Sequence, residues 1–273
     1  MKPNQNYQER IAAPGTPLYY SCRYLSPDAK QAVIAIHSFD QEVGSIGFQC
    51  KEREIAQRKL AWWHDELPKL FNNTSQHPIA KALYQAMQTC QLPKELISER
   101  VAGAMLSLEQ THCCTEGDYY NHCAREVGNC LILSAYATGF AEQGTIHAMN
   151  HLGIAIETIR HINYLYQYLK IGKLLFPLDK IEKAHLTAND FFAKENLPKI
   201  RPFLTQMAEF SRHHLQRAKD KLPEADKKRQ RHNLIYGELM KQILRQIEVD
   251  DFQVFDQHYQ LSPLRYLWHS LTK

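Results

Sequence analysis

The stretch from His151 to Lys180 constrains the fold more than any other part of the chain. Its apolar residues recur every three or four positions, which predicts a long helix with one buried face. These residues are Leu152, Ala155, Ile156, Ile159, Ile162, Tyr166 and Leu169. Gly172 and Pro177 predict that the helix stops at Gly172, and Lys173 stands where a cation complements the negative end of the helix dipole.

Helical patterns also fill most of the remaining chain. They begin near Ser26, with Pro27 at the first helical position, and continue over 52–71, 78–90, 93–111, 119–140, 202–222 and 233–247. In the second of these segments we expect Ile55, Leu60, Trp63, Leu67 and Leu70 to point inward. No long alternating pattern interrupts the series, so the sequence predicts a single all-α domain over residues 18–273, preceded by a flexible arm over residues 1–17.

Composition and charge exclude several classes of protein. The formal charge of +4 comes from 33 basic and 29 acidic residues that are spread along the chain, and no nucleic-acid-binding motif is present. The chain has seven cysteines, an odd number without regular spacing, and its polar, proline-rich start is unlike a signal peptide. We therefore expect a cytoplasmic protein with reduced thiols. No apolar run is long enough to span a bilayer, which leaves peripheral attachment to the inner membrane open.

The central stretch resembles the second signature of the squalene/phytoene synthase family, approximately QLTNILRDVxEDxxxGRxYLP. An ungapped alignment places Gly172, Lys173 and Pro177 on the Gly, Arg and Pro of that signature. Ala35 to Phe39 likewise resembles the opening pattern ALYAFCRxxDDxxD. The resemblance implies an all-α bundle of the isoprenoid-synthase type with a central cavity.

The resemblance also implies an activity, the Mg²⁺-dependent head-to-head condensation of isoprenyl diphosphates. In the family, aspartates four residues apart hold the metal, because Mg²⁺ prefers oxygen ligands and this spacing puts both carboxylates on one helical face. The chain departs from the family at these positions. The aspartates of the first motif are replaced by Gly44, Ser45 and Phe48, and those of the second by Tyr164 and Tyr168.

This departure is most similar to a divergent branch of the family that includes a mitochondrial complex I assembly factor. That branch shows the pattern AIxAFxxEL near the first motif, and the stretch from Ala35 to Val43 reads AIHSFDQEV. The candidate catalytic acids are then Asp40, Glu42 and Glu157. Asp40 and Glu42 lie about 200° apart around a helix, so they cannot chelate one ion together. We expect one or two scattered carboxylates at most to face the cavity.

Several residues in the two helices that match the family signatures are candidate ligand-binding residues. Tyr164 and Tyr168 are predicted to share one face and either to line the cavity or to fill it. Lys173 and Arg160 offer positive charge to a polar-headed ligand, with the alternative that Lys173 only caps its helix. The complete candidate set is Phe39, Arg160, Asn163, Tyr164, Tyr168 and Lys173.

Histidines and cysteines do not form a metal-binding pattern in the sequence. His112, Cys113, Cys114, His122 and Cys123 lie close together, and His147 and His151 are four residues apart. Neither set matches a CxxC pair or an HExxH helix, so we predict no metal site and expect buried thiols.

Two functions follow from the resemblance. The first is a non-catalytic member that needs no cofactor and binds an isoprenoid, another lipid or a protein partner, as an assembly factor would. The alternative is an active Mg²⁺-dependent transferase on prenyl diphosphates, using Asp40, Glu42 and Glu157 as unusual ligands.

Overall fold

Helices dominate the chain, whose computed structural model describes residues 11–50 and 52–272. The α-helices are α1 Pro17–Ser21, α2 Pro27–Gly44, α3 Ile46–Gln49, α4 Arg53–Phe71, α5 Pro78–Cys90, α6 Lys94–Glu109, α7 Glu116–Cys123, α8 Asn129–Thr138, α9 Gly144–Asn163, α10 Leu165–Lys170, α11 Leu178–Lys183, α12 Leu197–Lys221, α13 Glu224–Lys227, α14 Arg231–Val249 and α15 Pro263–Leu271. Two short strands, β1 His112–Cys113 and β2 Leu174–Pro177, pair in parallel. The predicted all-α class is confirmed.

Local sequence sets several of these boundaries. The Ser26 side chain accepts a hydrogen bond from the Ala29 N–H, with Pro27 following at the first helical position, as the sequence predicted for α2. Thr115 and Asp118 form a reciprocal capping box at the start of α7. Of the predicted flexible arm, residues 1–10 lie outside the described residues, and Thr16 caps α1.

Helix α9 is the centre of the molecule. It packs against α12, α14 and α8, and against the π-helical turn Ala124–Gly128. Between Leu152 and Asn163 every residue except Arg160 is buried. The prediction of one buried face is therefore wrong for this part of the helix, because neighbouring elements surround it between Leu152 and Asn163.

The central helix also ends earlier than its sequence pattern indicated. It breaks at Tyr164, and the short helix α10 follows. At the break the Asn163 side chain donates to the Tyr259 carbonyl oxygen at 2.9 Å and accepts from the Tyr259 N–H at 2.6 Å. These tertiary hydrogen bonds hold the helix end against the C-terminal segment, and Tyr166 is left 41% exposed instead of inward.

The end of α10 at Gly172 matches the sequence prediction. Gly172 has a φ of +73°, its N–H donates to the Leu169 carbonyl, and the Lys173 N–H donates to the Tyr168 carbonyl. These two bonds form a Schellman motif, which satisfies the last carbonyls of the helix and favours glycine at the left-handed position. In α4, the predicted inward residue Ile55 is 41% exposed, whereas Leu60, Trp63, Leu67 and Leu70 are buried as expected.

The buried apolar side chains form two clusters on either side of the cavity. One cluster is built on α9, α12 and α14, and the other on α2, α4, α5 and α6. Within residues 11–50 and 52–272, no helix has both the length and the apolar content required to cross a bilayer. All seven cysteines are free thiols, and Cys22, Cys113, Cys123 and Cys130 are buried.

Candidate functional site

A cavity of about 450 Å³ lies between the two clusters. It is open to a ligand of moderate size, since small-molecule sites in proteins range over about 300–1,000 Å³. Residues from α2, α9, α10, α14 and the C-terminal segment line it. Its aromatic wall consists of Phe48, Tyr164, Tyr168, Tyr236, Tyr259 and Tyr266, and aliphatic side chains including Leu18, Met240 and Ile243 complete it.

Arg100 supplies the main positive charge at one end of this cavity. Its Nε donates to Oδ1 of Asp40 at 2.5 Å, and its Nη2 lies 3.3 Å from Oε2 of Glu126. The guanidinium is 3% exposed and bridges two carboxylates that stand on different elements. Nη1 of Arg100 has no hydrogen-bond partner among the described residues. Arg100 therefore neutralises two acids and retains an unused buried donor.

Glu157 on α9 has two further basic neighbours. Its Oε1 lies 3.1 Å from Nε2 of His161, and its Oε2 lies 3.5 Å from Nη1 of Arg160. Arg160 also donates through Nη2 to the hydroxyl of Tyr236 at 3.3 Å. Together with the Arg100 pairs, these contacts give each carboxylate that lines the cavity a cationic partner from the same chain.

Burial and these neighbours shift the pKa values of the acids. Burial alone would raise the pKa of Glu157, but attraction to His161 and Arg160 outweighs it and lowers the pKa to about 2. The pKa of Glu126 is also lowered, since Arg100 and His122 outweigh the effect of burial. Burial raises the pKa of Asp40, and Arg100 opposes that rise. Glu157 and Glu126 are thus held ionised inside ion pairs.

Six of the residues that sequence reasoning selected line the cavity together. They are Asp40, Glu157, Arg160, Asn163, Tyr164 and Tyr168. Tyr164 stacks on His258 with ring centroids 5.5 Å apart, and Tyr168 packs edge-on against Phe48 at 4.9 Å. The Asn163 amide is already engaged by the backbone of Tyr259. The two tyrosines therefore line the wall and leave the cavity unfilled.

The other three selected residues lie elsewhere. Phe39 is 1% exposed and packs edge-on against Trp63 in the second apolar cluster. Glu42 is not among the lining residues. Lys173 donates through Nζ to the carbonyl of Ser107 and lines a small neighbouring pocket of about 40 Å³. Its ammonium is thus already committed to a backbone carbonyl.

Sequence reasoning missed Arg100, Glu126 and Tyr236. The expectation of at most two cavity carboxylates was wrong, because Asp40, Glu126 and Glu157 all line the cavity. Glu126 stands in the π-helical turn Ala124–Gly128, where the added residue per turn changes which side chains face inward. A search for charged residues within the predicted helices that have no local ion-pair partner could have selected Arg100.

The residues of this cavity do not fit the Mg²⁺ ions that the family resemblance implies. Such ions need clustered carboxylates with free oxygens, and the motif positions hold Gly44, Ser45, Phe48, Tyr164 and Tyr168 instead. The three carboxylates that are present already pair with Arg100, Arg160 and His161. A phenol hydroxyl with a pKa near 10 is a poor substitute at neutral pH.

The chain is similar in sequence to known proteins of one family. A family model described as squalene/phytoene synthase matches residues 11–265. Presqualene diphosphate synthase from Sinorhizobium fredii is 26% identical over 206 residues, which cover 73% of this chain and 72% of the relative. Human NADH dehydrogenase (ubiquinone) complex I, assembly factor 6, is 19% identical over 202 residues, which cover 73% of this chain and 61% of that protein.

Solved structures share the fold. A dehydrosqualene synthase crystallised with a ligand superposes with a TM-score of 0.84 at 12% identity, covering 98% of this chain and 95% of its own. Squalene synthase HpnC from Alicyclobacillus acidocaldarius gives a TM-score of 0.75 at 16% identity, with coverage of 91% and 94%. The family model spans nearly the whole described chain, and the fold agrees with it. The chain belongs to the squalene/phytoene synthase family.

Proposed function

We propose that this chain binds an isoprenoid, or another lipid with an oxygen-rich head, in its central cavity and does not carry out Mg²⁺-dependent condensation. The observation that carries the proposal is the pairing of Asp40, Glu126 and Glu157 with cations of the chain itself. A carboxylate engaged by a guanidinium has few free lone pairs for a metal ion. Binding of this kind requires no cofactor.

The cavity offers complementary surfaces to such a ligand. Its aromatic and aliphatic wall suits a prenyl chain, because burial of apolar surface contributes about 25 cal/mol per Å². At the polar end, the Arg160 side chain, which lines the cavity and is 32% exposed, is a donor for phosphate or hydroxyl oxygens. An amphipathic ligand with an anionic or hydroxylated head fits both surfaces.

Active prenyl transfer is the second candidate. The observation in its favour is that Asp40, Glu126 and Glu157 line a single cavity, which is the minimum a metal-dependent reaction would need. For this reaction Mg²⁺ would have to displace Arg100 and Arg160 from their carboxylates. The lipid-binding proposal therefore predicts bound prenyl diphosphate without diphosphate release.

The test incubates the purified chain with farnesyl diphosphate and either Mg²⁺ or Mn²⁺, and it measures both binding and diphosphate release. We expect binding without release. Arg160→Gln should weaken binding of farnesyl diphosphate more than binding of farnesol, because a charged diphosphate gains more from the guanidinium than a neutral hydroxyl does. Arg212→Gln, which removes a partner of Glu248 outside the cavity, is the matched control and should change neither affinity.

Two results would contradict the proposal. Release of diphosphate that disappears in Glu157→Gln would establish the transferase. Failure of both farnesyl diphosphate and farnesol to bind, in a chain that circular dichroism shows to be folded, would exclude a lipid-binding cavity and favour a protein partner.

A further inference from the structure

A second cluster of polar side chains lies in the wall behind the cavity. His122 from α7 and Glu157 and His161 from α9 each offer one ligand atom, and these three atoms lie within 4.8 Å of one another. The side chains are buried, with exposures of 2%, 4% and 2%. The sequence pattern did not indicate this group, because His122 is more than 30 positions away from the other two.

Hydrogen bonds define which nitrogen of His161 carries a proton. Thr158 donates to the Ile154 carbonyl at 2.8 Å, and the Tyr119 hydroxyl donates to Oγ1 of Thr158 at 3.1 Å. Tyr119 has then used its only proton, so at its 3.0 Å contact with Nδ1 of His161 its oxygen accepts. His161 therefore donates through Nδ1, which leaves Nε2, 3.1 Å from Oε1 of Glu157, as the ring nitrogen that can bind a metal.

The same reasoning applies to His122. Its Nδ1 lies 3.3 Å from Oε1 of Gln110, an oxygen that can only accept a hydrogen bond. The other end of that amide donates to the His112 carbonyl and to Sγ of Cys113, which fixes its orientation. Nδ1 of His122 therefore donates to Gln110, which leaves Nε2 as the ring nitrogen that can bind a metal.

Three atoms of this cluster lack hydrogen-bond partners within the described chain. They are Nε2 of His122, Nε2 of His161 and Oε2 of Glu157. Buried polar atoms without partners are costly, and a cation bound between the two imidazole nitrogens and the carboxylate would satisfy all three atoms. Histidines whose Nδ1–H is held by a neighbouring oxygen while Nε2 stays free are typical of metal ligands.

We propose that His122, His161 and Glu157 hold a Zn²⁺ ion. Two imidazole nitrogens and one carboxylate oxygen suit Zn²⁺, whereas Mg²⁺ prefers oxygen ligands alone. Oε1 of Glu157 and Nε2 of His161 are 3.1 Å apart, close to the roughly 3.3 Å edge of a tetrahedral zinc site. A ligand separation at the 4.8 Å limit must contract by roughly 1.5 Å on binding.

The fourth coordination position has room for a water molecule. Two of the three proposed ligands, His122 and Glu157, line the neighbouring pocket of about 40 Å³ together with Glu126, Tyr168 and Lys173, whereas His161 does not line it. A space of this size holds a water, which needs about 10–15 Å³ of this measure and two or more polar partners. The zinc site goes beyond the lipid-binding proposal. On binding Zn²⁺, Glu157 exchanges its contacts with His161 and Arg160 for the metal, whereas Asp40 and Glu126 stay paired with Arg100.

The experiment treats the full chain with a chelator under reducing conditions and then titrates it with Co²⁺ and Zn²⁺. We expect one equivalent to bind, with the visible absorption of four-coordinate Co²⁺, and Zn²⁺ to displace it. His122→Gln and Glu157→Gln should abolish this stoichiometric binding. His151→Gln, which removes one member of the separate His151–His214 pair, is the control and should leave it unchanged.

The variant Tyr119→Phe tests the site while all three zinc-binding side chains remain in place. It removes only the oxygen that orients His161, and it should weaken Zn²⁺ binding about 10- to 100-fold. Absence of stoichiometric binding in the wild-type chain would overturn the proposal. So would unchanged affinity in Tyr119→Phe and both ligand variants, or a sulfur-to-cobalt charge-transfer band, which would place the metal on cysteines.

Discussion

Arg100 is the residue on which the electrostatics of the cavity depend most. It lies on α6, and its guanidinium joins Asp40 of α2 to Glu126 of the π-helical turn Ala124–Gly128. A buried ion pair of this kind adds little net stability compared with an apolar replacement of all partners. Removal of one partner is different, because the remaining charges stay buried without compensation.

Arg100→Met should therefore destabilise the fold by about 3–5 kcal/mol, since it leaves Asp40 and Glu126 unpaired. The measurement is the free energy of unfolding in urea by circular dichroism. Arg53→Met is the control, because its pair with Glu109 is exposed and such pairs contribute about 0–1 kcal/mol. Similar losses in both variants would show that the Arg100 bridge has no special role.

Two buried histidines predict how stability depends on pH. Burial lowers the pKa of His232 to about 4. Burial also lowers the pKa of His37 well below its usual value, and the neighbouring His232 ring and Arg160 add to this effect. The unfolded chain binds these protons near pH 6.5, whereas the folded chain does not. Stability is therefore present above pH 6.5 and is lost as the pH falls toward 4.

Between pH 6.5 and 5 we expect a loss of roughly 2 kcal/mol for each of these histidines. Urea unfolding at a series of pH values measures it. His232→Leu should flatten the dependence, and the exposed His112→Gln should not. A free energy of unfolding that is constant over this range would show that the two rings are not neutral in the folded state.

At the scale of residues, the sequence predicted which helices line the cavity better than it predicted the ion pairs between them. The two helices that match the family signatures both contribute to the cavity wall. The residues that line it are Asp40, Glu157, Arg160, Tyr164 and Tyr168. The pairing of Arg100 with Glu126 could not be predicted, since it arises only when residues far apart in sequence meet in the fold. Lys173 was a candidate on charge alone, and the Ser107 carbonyl engages it.

At the scale of elements, local signals predicted the helix ends well and the irregular turns poorly. Ser26 and Gly172 mark real boundaries, because a cap and a left-handed position have specific chemical requirements. The break at Tyr164 has no such local signal. It coincides with the two hydrogen bonds between Asn163 and Tyr259, which form only in the folded chain.

The contact between α9 and the Ala124–Gly128 turn depends on two glycines. A Cβ on Gly153 would lie 2.7 Å from both Cα and N of Gly128, and backbone atoms cannot move aside as a side chain can. Gly153→Ala should therefore destabilise the fold by roughly 1–3 kcal/mol through overpacking.

Thermal and urea unfolding measure this effect. Gly47→Ala is the matched control, because its added Cβ would meet only Leu108 Cδ1 at an ordinary 3.6 Å, and it should change stability by less than about 0.5 kcal/mol. A tolerated Gly153→Ala would mean that the two elements can separate without cost.

At the scale of the whole molecule, the cavity lies between the two apolar clusters and is lined from both sides. A ligand that occupies it would bind only the folded chain. Farnesyl diphosphate at about 100 times its Kd should then stabilise the fold by about 2.7 kcal/mol and raise Tm by several degrees.

Differential scanning fluorimetry without added metal checks this expectation. Inorganic diphosphate, which lacks the prenyl chain, should produce a smaller shift, and Arg160→Gln should reduce the shift with farnesyl diphosphate. An equal shift with inorganic diphosphate would show that only a phosphate site is occupied and that the apolar wall contributes nothing.

The internal pairing of Arg100 with Asp40 and Glu126 also determines how the cavity responds to ionic strength. Salt weakens interactions between exposed charges beyond a Debye length of about 10 Å at 0.1 M, but buried pairs are screened much less. Surface pairs such as Arg53 with Glu109 therefore weaken as salt is added, while the charge balance inside the cavity persists. The cavity keeps the same electrostatic environment in dilute buffer and in concentrated salt.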